Sequence, residues 1–544
     1  MRLRHLLLAI AGGLLAFSST MAQSIDVRKV RAEPLDHYWS VGTCAGRVNE
    51  GLRTSWVEQL GQVHDQCGFR YLRMHGLFDD DMCVYFEDKN GNPKYSWQYI
   101  DEVYDRMLEI GVRPFVELSF FPKGIAADTT KIQMWYRNRV TPDKGRYFKW
   151  HNLIKAFCQH LIDRYGEEEV CSWYFEVWNE PNLDHGFFDG TKTDYFLLYK
   201  TTAEAIKEVN PRLRVGGPAT SNFIADHRHD GERTDNSRSV FYSQEDINKQ
   251  QWKGVWIEDF LNYCAQQQLP VDFISCHAYP TDYALDPVTK KGKDAIRYVH
   301  SLRDDLEWLR TTVAHSRYPQ AEIHVTEWST SPSSRDKMHD LLPPAAYIVK
   351  AMLENQHRVN SVMYWTFTDI FEEKGGGEEI FHGGFGMINF QGIAKPSFHA
   401  YRMLNQLGDE QLYYQDPLVV SRYSSNGKLA AIAFNYPREF EQMVPSQRNV
   451  NTYMNASPKD LHLQLKGLKP GAVFTIETLD NHHGNAYGEW EKMGRTHSPT
   501  REQTAHLRQA ALALQKDTLI ADKKGCLEIQ CQLQPWTCML IVEK

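Results

Sequence analysis

Between residues 37 and 407 the apolar positions switch repeatedly between two periods. Short runs rich in β-branched and aromatic residues suit strands covered on both faces, and between them apolar residues recur at the spacing of one helix face. The strand runs are 39–43, 69–74, 114–119, 173–178, 213–217, 272–276, 321–328 and 362–367. The helical stripes include Trp56, Leu60, Val63 and Cys67, then Ile100, Val103, Met107 and Leu108, then Trp150, Leu153, Ile154, Phe157 and Leu161. Ser55 and Glu58 stand at capping-box spacing ahead of the first stripe, and Gly68 and Gly111 close the first two helices. Eight such units in roughly 370 residues predict a closed (β/α)8 TIM barrel over 37–407, with surplus chain in loops.

After Gly408 the pattern changes. Short strands at 418–423, 429–435, 461–465, 473–479, 526–533 and 537–542, with turns between, predict an antiparallel β-sandwich domain over 408–544. Residues 500–514 read as a helix outside that sheet. Residues 25–36 are placed either beside the first barrel strand or with the sandwich. At 544 residues the chain is too long for one compact domain.

Arg2 and Arg4, the apolar run 6–17 and the small residues that follow read as a signal peptide, residues 1–22, for an exported protein, periplasmic or secreted. That run is too short to span a bilayer, and no later segment looks transmembrane. A net charge of −8 argues against nucleic acid or an anionic membrane as partner. The ten cysteines form no CxxC pair; Cys67, Cys158, Cys171, Cys264 and Cys276 fall in helix or strand patterns and read as buried thiols, and a disulfide among Cys526, Cys531 and Cys538 stays open. The 12% aromatic content suits a sugar-binding surface.

Two carboxylates carry the chemistry. Glu180 follows an apolar strand and precedes Pro181, which should push it to an extended backbone; ringed by aromatic residues, it should have a raised pKa and donate a proton. Glu327 stands at another strand end beside Trp328. Carboxylates on two barrel strand ends, strands four and seven, are what glycoside hydrolysis requires. The polar stretch 224–250, after strand five, reads as a lid over the barrel mouth or a solvated insertion; a metal site through His227 and His229 lacks a further ligand at suitable spacing. No metal or cofactor is expected.

Several stretches make the chain resemble glycoside hydrolase family 39, the family of β-xylosidases and α-L-iduronidases: Gly46 with Arg47 through Arg53, Arg73-Met74-His75-Gly76, Trp178-Asn179-Glu180-Pro181, His277-Ala278-Tyr279-Pro280, Thr368 through Glu373 and Phe381 through Gly386. The resemblance implies a retaining mechanism with Glu180 as acid/base and Glu327 as nucleophile. It also implies that Asn179 binds the sugar 2-hydroxyl, that His75, His277 and Tyr279 line the sugar subsite, that Trp365 is its apolar floor, and that Glu372 and Glu373 accept from sugar hydroxyls. His382 sits in the Gly-rich loop as a sugar or folding residue.

The leading expectation is an exo-acting β-xylosidase with a carbohydrate substrate as partner and neither nucleic acid nor membrane insertion. α-L-Iduronidase, with Arg335 or Lys337 for the substrate carboxylate, stays open, as do β-glucosidase, β-galactosidase and arabinose-releasing activities. From other classes come a non-catalytic carbohydrate-binding barrel, against which both glutamates speak, and a metal-dependent hydrolase using His75 and His277. Oligomeric state is not legible.

Overall fold

The computed structural model describes residues 23–127, 139–183, 186–221, 223, 243–249, 252–285, 292–373, 375–446, 453 and 455–544. The signal-peptide reading of 1–22 and most of the 224–250 stretch, His227 and His229 included, lie outside the described residues.

Eight parallel strands close a barrel in chain order: β1 Gly42–Arg47, β2 Tyr71–His75, β3 Arg113–Leu118, β4 Tyr174–Val177, β5 Arg214–Ser221, β6 Phe273–His277, β7 Glu322–Trp328 and β8 Ser361–Tyr364. After each comes one main helix: α1 Thr54–Cys67, α2 Gln98–Ile110, α3 Tyr147–Tyr165, α4 Lys192–Val209, α5 Ile257–Gln266, α6 Ser301–Ala314, α7 Pro343–Glu354 and α8 Pro396–Asn405. The stripes named from sequence are the buried faces of these helices, except that Leu108 is only half-buried and Tyr104 completes the α2 face. Gly68 and Gly111 end α1 and α2 in left-handed backbone, at φ 79° and 101°, where a side chain would be strained.

Three local expectations are corrected. The first strand begins at Gly42, because Tyr38–Ser40 form a 3-10 turn that buries Trp39 beneath the barrel. The Ser55–Glu58 capping box does not form: α1 starts at Thr54, two residues before the start such a box would give, with Arg53 as its uncapped N-terminal flank. The fourth strand stops at Val177, because Trp178 turns to φ 74° and buries its ring against Phe121.

Beyond α8 come β9 Glu410–Gln415, β10 Leu418–Arg422, β11 Leu429–Phe434, β12 Lys459–Lys466, β13 Val473–Leu479, β14 Gln515–Ile520, β15 Leu527–Leu533 and β16 Cys538–Glu543. A seven-stranded sheet runs from Glu33–Pro34 through β9, β10, β11, β16 and β13 to β14, and a three-stranded sheet is Gln23–Asp26, β12 and β15. Residues 25–36 therefore accompany these sheets and do not pair with β1. β10 and β11 of the larger sheet are buried on both faces by simple alternation: Leu418 and Val420 meet the small sheet, and Val419, with Ala430 and Ile432 of β11, meets the barrel. This explains why α7 is buried nearly all round, lying between barrel and sheet, with Tyr347 against Tyr436 and its one lysine, Lys350, paired to Asp416. The helix foreseen at 500–514 is Arg501–Leu512, capped reciprocally by Thr500 and Gln503.

All ten cysteines are free thiols. Cys67, Cys158, Cys264 and Cys276 are buried as expected, while Cys171 is only half-buried, on the turn into β4. The aromatic residues serve the core far more than any surface: Trp39, Trp56, Trp150, Trp173, Trp178, Trp328, Trp490 and Trp536 are fully buried. No helix among the described residues is long and apolar enough to cross a membrane.

Candidate active site

The barrel interior is apolar at its base and charged at its mouth. Phe115, Tyr174, Phe273 and His324 pack ring against ring at the level of the strand starts. One turn of the strands higher stands Arg73 of β2, wholly buried. Its Nε donates to Glu176 of β4, its Nη1 to Glu327 Oε1 at 2.8 Å and its Nη2 to Asn179 Oδ1 at 2.8 Å, with Glu117 Oε2 of β3 3.0 Å away. One guanidinium thus serves three buried carboxylates on three strands. Burial of such charges is tolerable only when they are paired in this way.

Glu327 reaches this hub through an irregularity. The pairing of β7 with β8 shifts register between Val325 and Trp328, so Thr326 and Glu327 both point inward: Thr326 Oγ1 donates to Glu176 at 2.8 Å while Glu327 meets Arg73. Tyr279, just past β6, donates its hydroxyl to Glu327 Oε2 at 3.0 Å. His75 at the end of β2 bonds Glu117 through Nδ1 at 2.6 Å and turns Nε2 to within 3.6 Å of Glu327 Oε1.

Glu180 is placed by backbone strain. Its φ is 43°, not the extended value expected ahead of Pro181. Its N–H donates to Ala219 O of β5 at 2.9 Å and its carbonyl accepts from Leu183, and these anchors override the local preference. Such a conformation costs on the order of 1–3 kcal/mol and persists only where the surroundings impose it. The side chain meets His277 Nδ1 at 2.8 Å, and the same nitrogen is 3.5 Å from Glu327 Oε2. One oxygen of Glu180, one of Glu327 and a nitrogen of His277 all lie within 4.8 Å of one another.

The two carboxyls differ in environment. Burial pushes Glu180 up to about 7; a hydrogen bond from Ser221 and the charges of His75 and Arg73 offset only part of it. Burial raises Glu327 as well, and the neighbouring Glu180 adds to this; the Arg73 charge and the Tyr279 hydroxyl oppose the rise, and its net shift is upward. Burial lowers His277 to about 4, so its imidazole is neutral. With the proton assigned to Nδ1, where both acceptors lie, it donates to Glu180. Burial pulls His75 down, but the Glu117 carboxylate more than reverses this, and its net shift is upward.

The structure brings Glu180, Glu327, His75, Asn179, His277 and Tyr279 together at the mouth. Asn179 Nδ2 and His277 Nε2 are buried without a protein partner among the described residues, and both are donor or acceptor groups suited to a polyol. Trp365, 3% exposed, lies 4.7 Å from the His75 ring and forms an aromatic wall with Phe371 and Phe385. Glu372 stands apart from the carboxylate pair: its oxygens meet Arg47 Nη1 at 3.0 Å and Arg53 Nη2. Glu373 is half-buried beside it. His382 donates Nδ1–H to Glu379 O within its own loop.

Arg73, Glu117 and Glu176 were not assigned a role from sequence. The signal was present: each is a charge inside an apolar strand run, and such a charge must find a buried partner. Arg73→Met is expected to leave Glu117, Glu176 and Glu327 uncompensated, at a cost of about 3–5 kcal/mol. A lowered thermal midpoint, with the acid limb of the rate profile moved upward as Glu327 becomes harder to ionise, checks this.

A sequence profile of Glycosyl hydrolases family 39 matches residues 23–237 and 250–526. The β-xylosidase of Geobacillus stearothermophilus is 36% identical over 484 residues, covering 88% of this chain and 87% of that protein. The β-xylosidase of Caldicellulosiruptor saccharolyticus is 35% identical over 88% of this chain and 90% of its own. Among solved structures, a monomeric β-xylosidase from Caulobacter crescentus CB15 superposes with a TM-score of 0.81 at 29% identity, covering 96% of this chain and 99% of that one.

Proposed function

The chain belongs to glycosyl hydrolase family 39 and is therefore a retaining glycosidase, and from that premise we propose an exo-acting β-xylosidase that releases xylose from xylosides or xylo-oligosaccharides. The observation that carries the site assignment is the unequal pair, Glu180 and Glu327, with oxygens within 4.8 Å. Carboxyls about 5–5.5 Å apart leave no room for a water between nucleophile and sugar, and so favour double displacement.

In the first step a Glu327 oxygen forms a bond to the anomeric carbon as the glycosidic C–O bond breaks, and Glu180 gives its proton to the departing oxygen. Arg73 and Tyr279 keep Glu327 charged until it attacks. Glu180, now a carboxylate, takes a proton from water; the water oxygen attacks the anomeric carbon and Glu327 leaves. His277, neutral and hydrogen-bonded to Glu180, keeps the acid aimed through both steps. Arg73 fixes the Asn179 amide by donating Nη2–H to its Oδ1, which leaves Nδ2 for the sugar 2-hydroxyl.

A neutral pentose fits better than a uronate. Arg73, Arg47 and Arg53 already serve carboxylates; Lys337 is exposed, and Arg335 Nη2 donates to Gly375 O at 2.9 Å. A panel of aryl glycosides tests the reading. The β-xyloside is expected to show the highest kcat/KM, unchanged by chelator. Preference for the α-L-iduronide, or loss of activity to chelator with recovery on adding metal, would overturn it.

A further inference from the structure

Glu50 has no part in the steps above, yet it is fully buried at the rim of the mouth. It sits in the 3-10 turn Val48–Leu52 that leaves β1. Its Oε1 accepts the backbone N–H of Glu372 at 2.8 Å, while Oε2 is buried with no partner among the described residues. Gly46 makes the space: a Cβ there would stand 2.6 Å from Glu50 Oε2, 2.7 Å from Oε1 and 2.8 Å from the Phe371 ring. The same ring lies 5.8 Å from Trp365, which lies 4.7 Å from His75 beside the Glu327 carboxylate. Glu50 thus holds the backbone of Glu372, the residue next to Phe371, and from the Phe371 ring contacts run through Trp365 and His75 to the nucleophile.

Resting on the glycosidase reading of the site, we propose that Glu50 is a positioning residue. Set in the space that Gly46 leaves, and holding the Glu372 amide next to Phe371, it fixes where the loop after β8 stands over the bound sugar.

Its charge state matters to this role. Burial, followed by the Glu372 carboxylate, raises the Glu50 carboxyl to about 8, against hydrogen bonds from the Glu372 and Arg47 backbones and the Arg47 charge. The charged groups around it are Glu372 from the loop after β8 and Arg47 from β1. Behind them stand Arg53, paired with Glu372, and Asp79 and Asp81, paired with Arg47; α2 packs Val103 towards Gly51 of the same turn. Because the folded value lies above that of an ordinary carboxyl, Glu50 is neutral at pH 7 and gains its charge as pH rises through about 8. The new charge faces Glu372 and loosens the loop.

The test uses the dinitrophenyl glycoside that the wild type hydrolyses fastest, so that a wrong choice of sugar leaves the result untouched. This leaving group needs no proton from Glu180, so the Glu180 titration drops out of kcat/KM. Wild type is expected to lose kcat/KM above pH 8. Glu50→Gln keeps the neutral shape; it should match wild type within about threefold at pH 6 and lack the alkaline loss. Glu50→Ala should raise KM roughly tenfold or more with a smaller fall in kcat. An alkaline loss that persists in the Gln variant would overturn the proposal, as would an Ala variant with unchanged KM. If the Ala variant does not fold, the comparison of Gln with wild type decides alone.

Discussion

Glu327→Gln is expected to lower kcat on every glycoside by roughly 10⁵-fold or more, the scale at which an enzyme loses its covalent nucleophile. The amide is nearly isosteric, so the fold should survive. Its oxygen still accepts from Arg73, and the Tyr279 hydroxyl can turn to accept from the new NH2. What it lacks is a charged oxygen able to bond the anomeric carbon. The loss should be as large for activated as for poor leaving groups, because bond formation to carbon is needed in both. Folding is checked by circular dichroism and activity by initial rates. Near-normal turnover in the folded variant removes Glu327 from the mechanism.

Glu180→Ala is expected to discriminate between leaving groups instead. A sugar alcohol leaves poorly without a proton, so activity on xylo-oligosaccharides should fall by about 10²–10⁴-fold. A dinitrophenolate leaves unaided, so the first step should continue, and the glycosyl-enzyme should then accumulate because no base activates water. The pH dependence follows from the same group. Glu180, raised by burial to about 7, is protonated below that value. Wild-type kcat/KM on poor leaving groups should therefore fall as pH rises through about 7 and fall again at low pH as Glu327 is protonated. The limb near 7 should be absent with the dinitrophenyl substrate. Equal losses on both kinds of leaving group would show that Glu180 is not the acid.

The barrel was legible because its helices carry clean apolar stripes and its strands are short apolar runs; both signals are local. Strands β9 and β14 went unread for the opposite reason. β14 exposes both faces and pairs on one side only, so its Gln515-Lys516-Asp517-Thr518 run carries no alternation. The pair Glu180 and Glu327 was legible as strand-end carboxylates. Two features of their setting were not. The left-handed turn at Glu180 is imposed by Ala219, which is distant in sequence, and the register shift in β7 depends on its pairing with β8. The Arg73 hub shows the same limit. A charge inside a strand announces that partners exist, but only closure of the barrel brings Glu117, Glu176 and Glu327 to it. Glu372, expected from the resemblance to accept from sugar hydroxyls, is an ion-pair anchor for Arg47 and Arg53 once β1 and β8 stand side by side.

The central claim is that Glu180 and Glu327 act in two successive displacements, and one product decides it. Purified Glu180→Ala is incubated with a dinitrophenyl β-xyloside and sodium azide, and the anomeric configuration of the xylosyl azide is read by proton NMR. Azide needs no base, so it should restore turnover by attacking the glycosyl-enzyme on Glu327. Two inversions then give the β-azide, which is the predicted result. An α-configured azide would mean a single displacement and would contradict the account.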